Sequence, residues 1–396
     1  MIFAAGWPRL EEWIFFDIRP IAAVLVTALC AVGPAPAAAV PACESPSVVM
    51  SFPTTLKSPF WGPYAEIAER AARDLNIHLK ISASTGNNRS DFMARLRDDL
   101  TGKTLPGNEP PDYLLVFPYF GVVPEVMELS ERLGVRVVTL NSAVGSHDRE
   151  TVGQPRGRYK NWILQSFADD EQAGYELAAA LERAARQRFG LGDSGVVKMN
   201  AVGGNHVAGS SLLRRDGLER FILSTGDHVA LNQFVFTDWT YKRGREVNKG
   251  MLRRYARTHA IWTVSPNLGR AAADEIDASA RTGPRPVVGL FDGAFSKSAL
   301  EGLENGRYSA VAGGHFIEGG ILLTLVLDHF NGFDFADDIG TELKTPFLVA
   351  GPENREEIQK FMNRWVGDGN KYRRFSKCFN RDLKKYHFDR RMMLDQ

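Results

Sequence analysis

From Ser47 onward, short β-branched and apolar runs alternate with longer stretches in which apolar residues recur every three or four positions. The run "SVVMSF" predicts a strand over 47–52. In "SPFWGPYAEIAERAARDLNI", Tyr64, Ile67, Ala68, Ala71, Ala72 and Leu75 fall on one face of a helix with charged residues between them. "HLKISAS", "DYLLVFP" and "VRVVTLN" predict further strands, and "DFMARLRDDL" and "VVPEVMELSERLG" the helices that separate them. The strands are near-continuous apolar runs, the pattern of a parallel sheet covered on both faces. After "NWILQSFADDEQAGYELAAALERAARQRFG" the alternation starts again. Strands "GVVKMNAVGG", "VALNQFVF", "AIWTVS" and "PVVGLFD" exchange with helices "LLRRDGLERFIL", "REVNKGMLRRYA", "GRAAADEIDASA" and "KSALEGLENG". The pattern predicts an α/β protein with two doubly wound parallel-sheet units and no Pro- or Gly-rich linker between them.

In open parallel sheets the ligand lies beyond the carboxyl ends of the strands. Polar residues stand there: Asn141 and Ser142, Ser265 and Asn267, and Asp292. Trp61 opens the first helix after "SPF", and Trp239 precedes another helix in "FTDWTYKRGRE". An indole stacks on the C–H face of a carbohydrate, while carboxylates, amides and guanidinium groups hydrogen-bond its hydroxyls. Asn141, Arg214, Asp292 and the two tryptophans form that chemical set. Each residue alone also serves as a helix cap, an ion-pair member or a core side chain, and the sequence leaves both readings open.

Templates for catalysis fail. The chain has no G-x-S-x-G elbow, P-loop, H-E-x-x-H, or G-x-G-x-x-G opening a helix. "GGNHVAGSSLLRRDG" (203–217) lacks a lysine for a phosphate loop, and its glycines read as a strand-to-helix turn. The histidines at 78, 147, 206, 228, 259, 315, 329 and 387 show no zinc-ligand spacing. No catalytic residue, metal or cofactor is expected.

A chain of 396 residues with 44% hydrophobic content is long enough for two domains. Lys+Arg 48 against Asp+Glu 47 leaves a net charge of +1, which gives no footprint for nucleic acid. "RPIAAVLVTALCAVGPAPAAAV" places Arg19 before an apolar run and ends on Ala37, Ala38 and Ala39, the order of a secretory signal over 1–39. Removal of that segment takes Cys30 with it and leaves Cys43 and Cys378 in an oxidising compartment, where they either form one disulfide or remain separate thiols. The proline in "VPAC" argues against a lipidation box at Cys43.

From Ser47 to Pro352 the sequence resembles the type I periplasmic solute-binding proteins of sugar ABC transporters, a family that includes ribose-binding proteins and the autoinducer-2 receptor. The resemblance is carried, in order, by "SPFWGPYAEIAERAARDL", "VVTLNS", "ADDEQAGYELAAAL", "SSLLRRDGLERF", "AIWTVSPNLGRAAADEI" and "VVGLFDGAFSKSALEGLENG". It implies two lobes joined by three crossing strands, with the ligand held between lobes that close by hinge motion. The implied first lobe is 45–165 plus 315–345, the second 166–314 plus 346–370, and 371–396 is a basic C-terminal extension. By position, Phe60 and Trp61 match the family's first-lobe aromatic platform and Asn141 the polar residue after the fourth strand. Arg214 matches an arginine that grips ligand oxygens, Trp239 the second-lobe aromatic, Ser265 or Asn267 a polar strand-end residue, and Asp292 the acid that accepts sugar hydroxyls. Sugar binders of the family often carry Asp-Arg where this chain has Asn141-Ser142, and Asn-Asp in place of Ser265-Pro266-Asn267; these departures weigh against a simple ribose specificity.

"AGGHFIEGGILL" falls where the chain returns to the first lobe. Gly313 and Gly314 are expected to let that crossing bend as a hinge, with His315 or Glu318 facing the cleft or capping the next helix. The extension, with "NKYRRFSKCFNRDLKKYHFDRR", reads as a solvated helix docked on the surface or as a docking face for a membrane partner. The resemblance implies a monomeric, non-enzymatic periplasmic protein that captures a sugar-like solute and delivers it to a membrane ABC permease. The alternative is a sensor that signals through a membrane kinase or cyclic-dinucleotide enzyme. A helix-turn-helix repressor is rejected, because a signal segment holds the place of its DNA-binding domain.

Overall fold

The computed structural model describes residues 43–366, apart from 59, 86, 87, 120, 207 and 281, together with 372–388 and 394. The signal segment expected over 1–39, with Cys30, lies outside the described residues. The first series of elements is β1 (Ser47–Phe52), α1 (Trp61–Leu75), β2 (His78–Ala83), α2 (Arg89–Leu100), β3 (Tyr113–Val116), α3 (Val123–Leu133), β4 (Arg136–Thr139), α4 (Ser146–Val152) and β5 (Trp162–Ala168). The second is α5 (Asp170–Phe189), β6 (Val197–Gly203), α6 (Gly209–Ser224), β7 (Val229–Phe236), α7 (Tyr241–Arg254), β8 (Ala260–Thr263), α8 (Pro266–Asp277), β9 (Val287–Phe291), α9 (Lys297–Glu304) and β10 (Ala310–Gly313). The chain closes with α10 (Glu318–Phe330), α11 (Ala336–Ile339), β11 (Glu342–Thr345), β12 (Leu348–Ala350) and α12 (Arg355–Val366).

The strands form two six-stranded sheets, ordered β11-β5-β4-β3-β1-β2 and β12-β10-β9-β8-β6-β7. All pairings are parallel except that of β12 with β10. Helices cover both faces, so the central strands β3, β8 and β9 are buried along their whole length. Several helices start at side-chain caps: Asn88, Asp169, Thr240, Ser265 and Ser296 each accept the N–H of the residue three positions on. The expected face of α1 is buried against β1 and α10, and the helix stops where Asn76 turns left-handed at φ 58°.

The chain passes between the sheets three times, at 168–170, 313–318 and 345–348. At the second passage Gly314 has φ 95°, a left-handed conformation that a side chain strains to adopt. The second sheet therefore receives its last strand, β12, only after β11 has completed the first.

The C-terminal segment departs from the expected solvated helix. Within 372–388 the helical structure is a single 3-10 turn, Tyr372–Phe375, and the rest is a strap laid on the first lobe. Tyr372, Phe375, Cys378, Tyr386 and Phe388 are buried, a spacing that no single helical face accommodates. The buried carboxylate of Asp328, in α10, organises the strap: it accepts Ser376 Oγ, the N–H groups of Lys377 (2.6 Å) and Cys378 (3.0 Å), and Tyr386 Oη (2.7 Å). Cys378 is bonded to Cys43 with the sulfurs 2.08 Å and the Cα atoms 6.0 Å apart. Beside the bridge, Glu44 N–H donates to Asn331 Oδ1 at 2.8 Å. Replacing both cysteines by serine is expected to cost about 2–4 kcal/mol through the lost constraint on the unfolded chain. Calorimetry of the wild type and the double variant checks it; an equal unfolding midpoint would mean that Asp328 alone secures the strap.

Candidate functional site

The three crossings bring one continuous wall of side chains together. Phe60, the residue before α1, stacks on the His315 ring at 4.9 Å with 25° between planes. His315 in turn contacts Phe347 at 4.2 Å. The guanidinium of Arg214, from α6, lies 4.2 Å over Phe291 and 5.6 Å over Phe347. Its Nε donates to Asp170 Oδ1 at 2.7 Å and its Nη1 to the carbonyl of Val264 at 2.9 Å. Phe60 belongs to the first lobe, Arg214 and Phe291 to the second, and His315 and Phe347 to the crossings between them. The lobes approach closely here: a Cβ on Gly293 would stand 2.5 Å from Phe60 Cδ2 and 2.7 Å from His315 Cε1.

The sequence candidates fall into separate environments. Asn141 leaves β4 with φ 63°, its N–H donates to Glu318 Oε1 at 3.2 Å, and its side-chain Oδ1 is buried without a protein partner. Asp292 is 1% exposed and its carboxylate accepts the Ala294 N–H at 3.3 Å and the Ser296 hydroxyl. Trp239, at φ 67°, lays its indole over Gly204 and remains half-buried. Trp61 is packed among Phe52, Phe60, Tyr64 and Phe117 at 4.8–5.6 Å, behind Phe60. The Ser265 hydroxyl caps α8 by accepting the Leu268 N–H at 3.3 Å, and Asn267 is exposed in the first turn. Of the glycines in 203–217, Gly217 faces α5 so closely that a Cβ would stand 1.9 Å from the Glu171 carbonyl, a packing role and not a phosphate loop.

Sequence reasoning missed Asp170 and Phe347. Asp170 stands in the quoted crossing segment, but its partner Arg214 is 44 positions away. Tyr64, Ser166 and Thr345 were missed as well; with Asn141 they surround Glu318, which is 1% exposed. Glu318 accepts Tyr64 Oη at 2.9 Å, the Ser166 hydroxyl and the Asn141 N–H, and Thr345 stands beside it with its own hydroxyl donated to the Phe167 carbonyl at 3.2 Å. Among the described residues no group of three or more His, Cys, Asp or Glu side chains converges as a metal site.

Burial dominates the electrostatics. It pushes the Glu318 carboxyl up to about 7 against the hydrogen bonds that favour its charge. Burial, then the charge of Arg214, holds the His315 imidazole well below its ordinary value, so the ring is neutral, and its Nδ1 has no protein partner. Burial raises the Asp170 carboxyl, and Arg214 opposes it. Burial also raises Asp292.

The signs for stability are opposite. His315 is depressed below 6.5, so its contribution is complete above that value and is lost as pH falls below it. Glu318 is raised from 4.5 to about 7, so its contribution is complete below 4.5 and is lost as pH rises through 7. The unfolding midpoint of His315→Gln is therefore expected to fall less than that of the wild type on acidification from about pH 6.5 to about pH 5. Parallel melts at the two pH values check this, and parallel falls would exclude His315 as a contributor.

No protein-family model matches the chain, and no curated protein matches it by sequence. Solved structures do match. A periplasmic sugar-binding protein from Pseudomonas fluorescens is 24% identical, with a TM-score of 0.73 over 88% of this chain and 99% of that one. An ABC transporter periplasmic solute-binding protein from Actinobacillus succinogenes with bound D-allose is 14% identical, with a TM-score of 0.66 over 79% of this chain and 99% of that one. A periplasmic ribose ABC transporter protein from Conexibacter woesei is 18% identical, with a TM-score of 0.65 over 83% of this chain and 99% of that one. The chain has the two-lobe α/β fold of the type I periplasmic binding proteins.

Proposed function

We propose that this is a periplasmic solute-binding protein that captures a sugar or sugar-like polyhydroxylated solute between its lobes and delivers it to a membrane ABC permease. The observation that carries the reading is the wall at the crossings: an aromatic face from Phe60, a cation on Arg214, and the buried His315 Nδ1 without a protein partner; Asn141 Oδ1, on the residue bonded to Glu318, is a second such buried atom. An apolar face with a few placed polar atoms is the composition of a small-ligand site. Sugar recognition by the structural neighbours supports the same class. The reading contains no catalytic step: Asp170 pairs with Arg214, Asp292 accepts from Ala294 and Ser296, and Glu318 accepts from its donors.

In this reading Phe60 is the first-lobe platform and Trp61 supports it from behind. Trp239 supplies the second-lobe face, Arg214 and Asp292 bind ligand oxygens, and Ser265 and Asn267 border the site. Gly313 and Gly314 form the hinge. Export as a secreted, monomeric protein completes the proposal.

Calorimetric titration with D-ribose, D-allose and D-arabinose tests it. Saturable one-to-one binding to at least one sugar is expected, weakened about a hundredfold or more in Arg214→Ala and Asp292→Ala because buried partners are left unpaired. Phe60→Ala is expected to weaken binding with little change in melting, whereas Trp61→Ala costs about 3–5 kcal/mol of stability. Silence toward all three sugars in a well-folded protein would count against sugar capture. Gly314→Val is expected to impair closure, read as the ligand-dependent change in radius of gyration; intact closure and affinity would remove Gly314 from the hinge.

A further inference from the structure

Glu318 is the first residue of α10, at the point where the second crossing enters the first lobe. Three parts of that lobe donate to its carboxylate, Tyr64 from α1, the Asn141 amide beyond β4 and Ser166 from β5, and Thr345 of β11 stands beside it. Ser166 and Thr345 each lie just before another crossing, so Glu318 stands near all three and is bonded beside one of them through Ser166. Asn141 is left-handed at φ 63°, a conformation that asparagine adopts more readily than other side-chain-bearing residues. Its N–H is held by Glu318, while its side-chain oxygen has no protein partner. The next residue, Ser142, faces the second lobe, its Oγ 3.8 Å from where a Cβ on Gly209 would stand.

We propose that Glu318 is the positioning residue of the ligand site: its ionised carboxylate fixes the Asn141 backbone so that the side-chain oxygen is presented to a ligand hydroxyl, and solute affinity therefore depends on the charge of Glu318. The proposal rests on the solute-binding reading. The Tyr64 and Ser166 hydroxyls can rotate to accept a proton's hydrogen bond, but the Asn141 N–H can only donate, and it shares Oε1 with Ser166. A proton on Oε1 displaces the amide, and a proton on Oε2 leaves Oε1 a neutral carbonyl that holds the amide more weakly than a carboxylate does. The group lies near neutrality, at about 7. Tyr64 is the titratable side chain facing Glu318 from α1; β5 and β11 contribute the neutral hydroxyls of Ser166 and Thr345, the β4 end contributes an amide, and the turn before α10 carries neutral His315. The charged pair of the site, Asp170 and Arg214, belongs to the second lobe.

Two measurements on the full chain test it. Titrations of D-allose, D-ribose and D-arabinose at about pH 8 and pH 6 should show wild-type affinity up to about tenfold weaker at the lower pH, the limit for one proton competing across a group at 7. Glu318→Gln, which keeps an acceptor and cannot titrate, should lose that step; a step persisting unchanged in Glu318→Gln would overturn the proposal. Without any sugar, hydrogen exchange at the Asn141 amide should be at least about tenfold faster in Glu318→Ala than in the wild type, since one protecting contact is removed. Unchanged protection in a folded Glu318→Ala also overturns it, and if that variant does not fold, the comparison is made with Glu318→Leu. Absence of binding to all three sugars, with the exchange result as expected, would instead indict the solute-binding reading.

Discussion

The edge of the first lobe at the crossings depends on a carboxylate buried among hydrogen-bond donors. Glu318 accepts from two hydroxyls and an amide, each delivered by a different part of the first lobe. Burying a carboxylate without such partners costs several kcal/mol, and the donors offset that cost only when they arrive together. The positions of α1, β5 and the end of β4 are thus mutually constrained through the two oxygens of one carboxylate. Asp328, one face of α10 further on, applies the same device to the C-terminal strap. A single helix carries two buried acids that fix loops and crossings which have few regular contacts of their own.

The wall between the lobes shows how charge is managed beside an aromatic surface. Arg214 is desolvated against Phe291 and Phe347 but keeps Asp170 and a carbonyl as partners. His315, between Phe60 and Phe347, has a neutral ring. The pair Arg214 and Asp170 sums to zero charge, so the wall carries no net charge from that pair.

The fold was legible because each element repeats a local period: both lobes are built from short apolar runs and amphipathic helices that a window of residues reveals. The site was legible only in part. Ser265 satisfies the sequence signal of a ligand contact, a hydroxyl at a strand end, and that of a helix cap at once, and its oxygen accepts the Leu268 N–H. Trp61 and Phe60 are adjacent, but the helix turns Trp61 into the core and leaves Phe60 half-buried against His315. Asp170 gains its meaning from Arg214, and Glu318 from Tyr64, 254 positions earlier. No periodicity encodes such pairings. The strap was misread because its aromatic residues are buried by a path that follows the surface of the first lobe, with Asp328 supplying the hydrogen bonds a helix would have made internally.

The bridge between Cys43 and Cys378 spans 335 positions, so the covalent circuit it closes contains both sheets and all three crossings. A single cut in any loop of that circuit opens the ring without releasing a fragment. The lobes stay parts of one molecule, and a nicked chain separates into two pieces only when the bridge is also reduced.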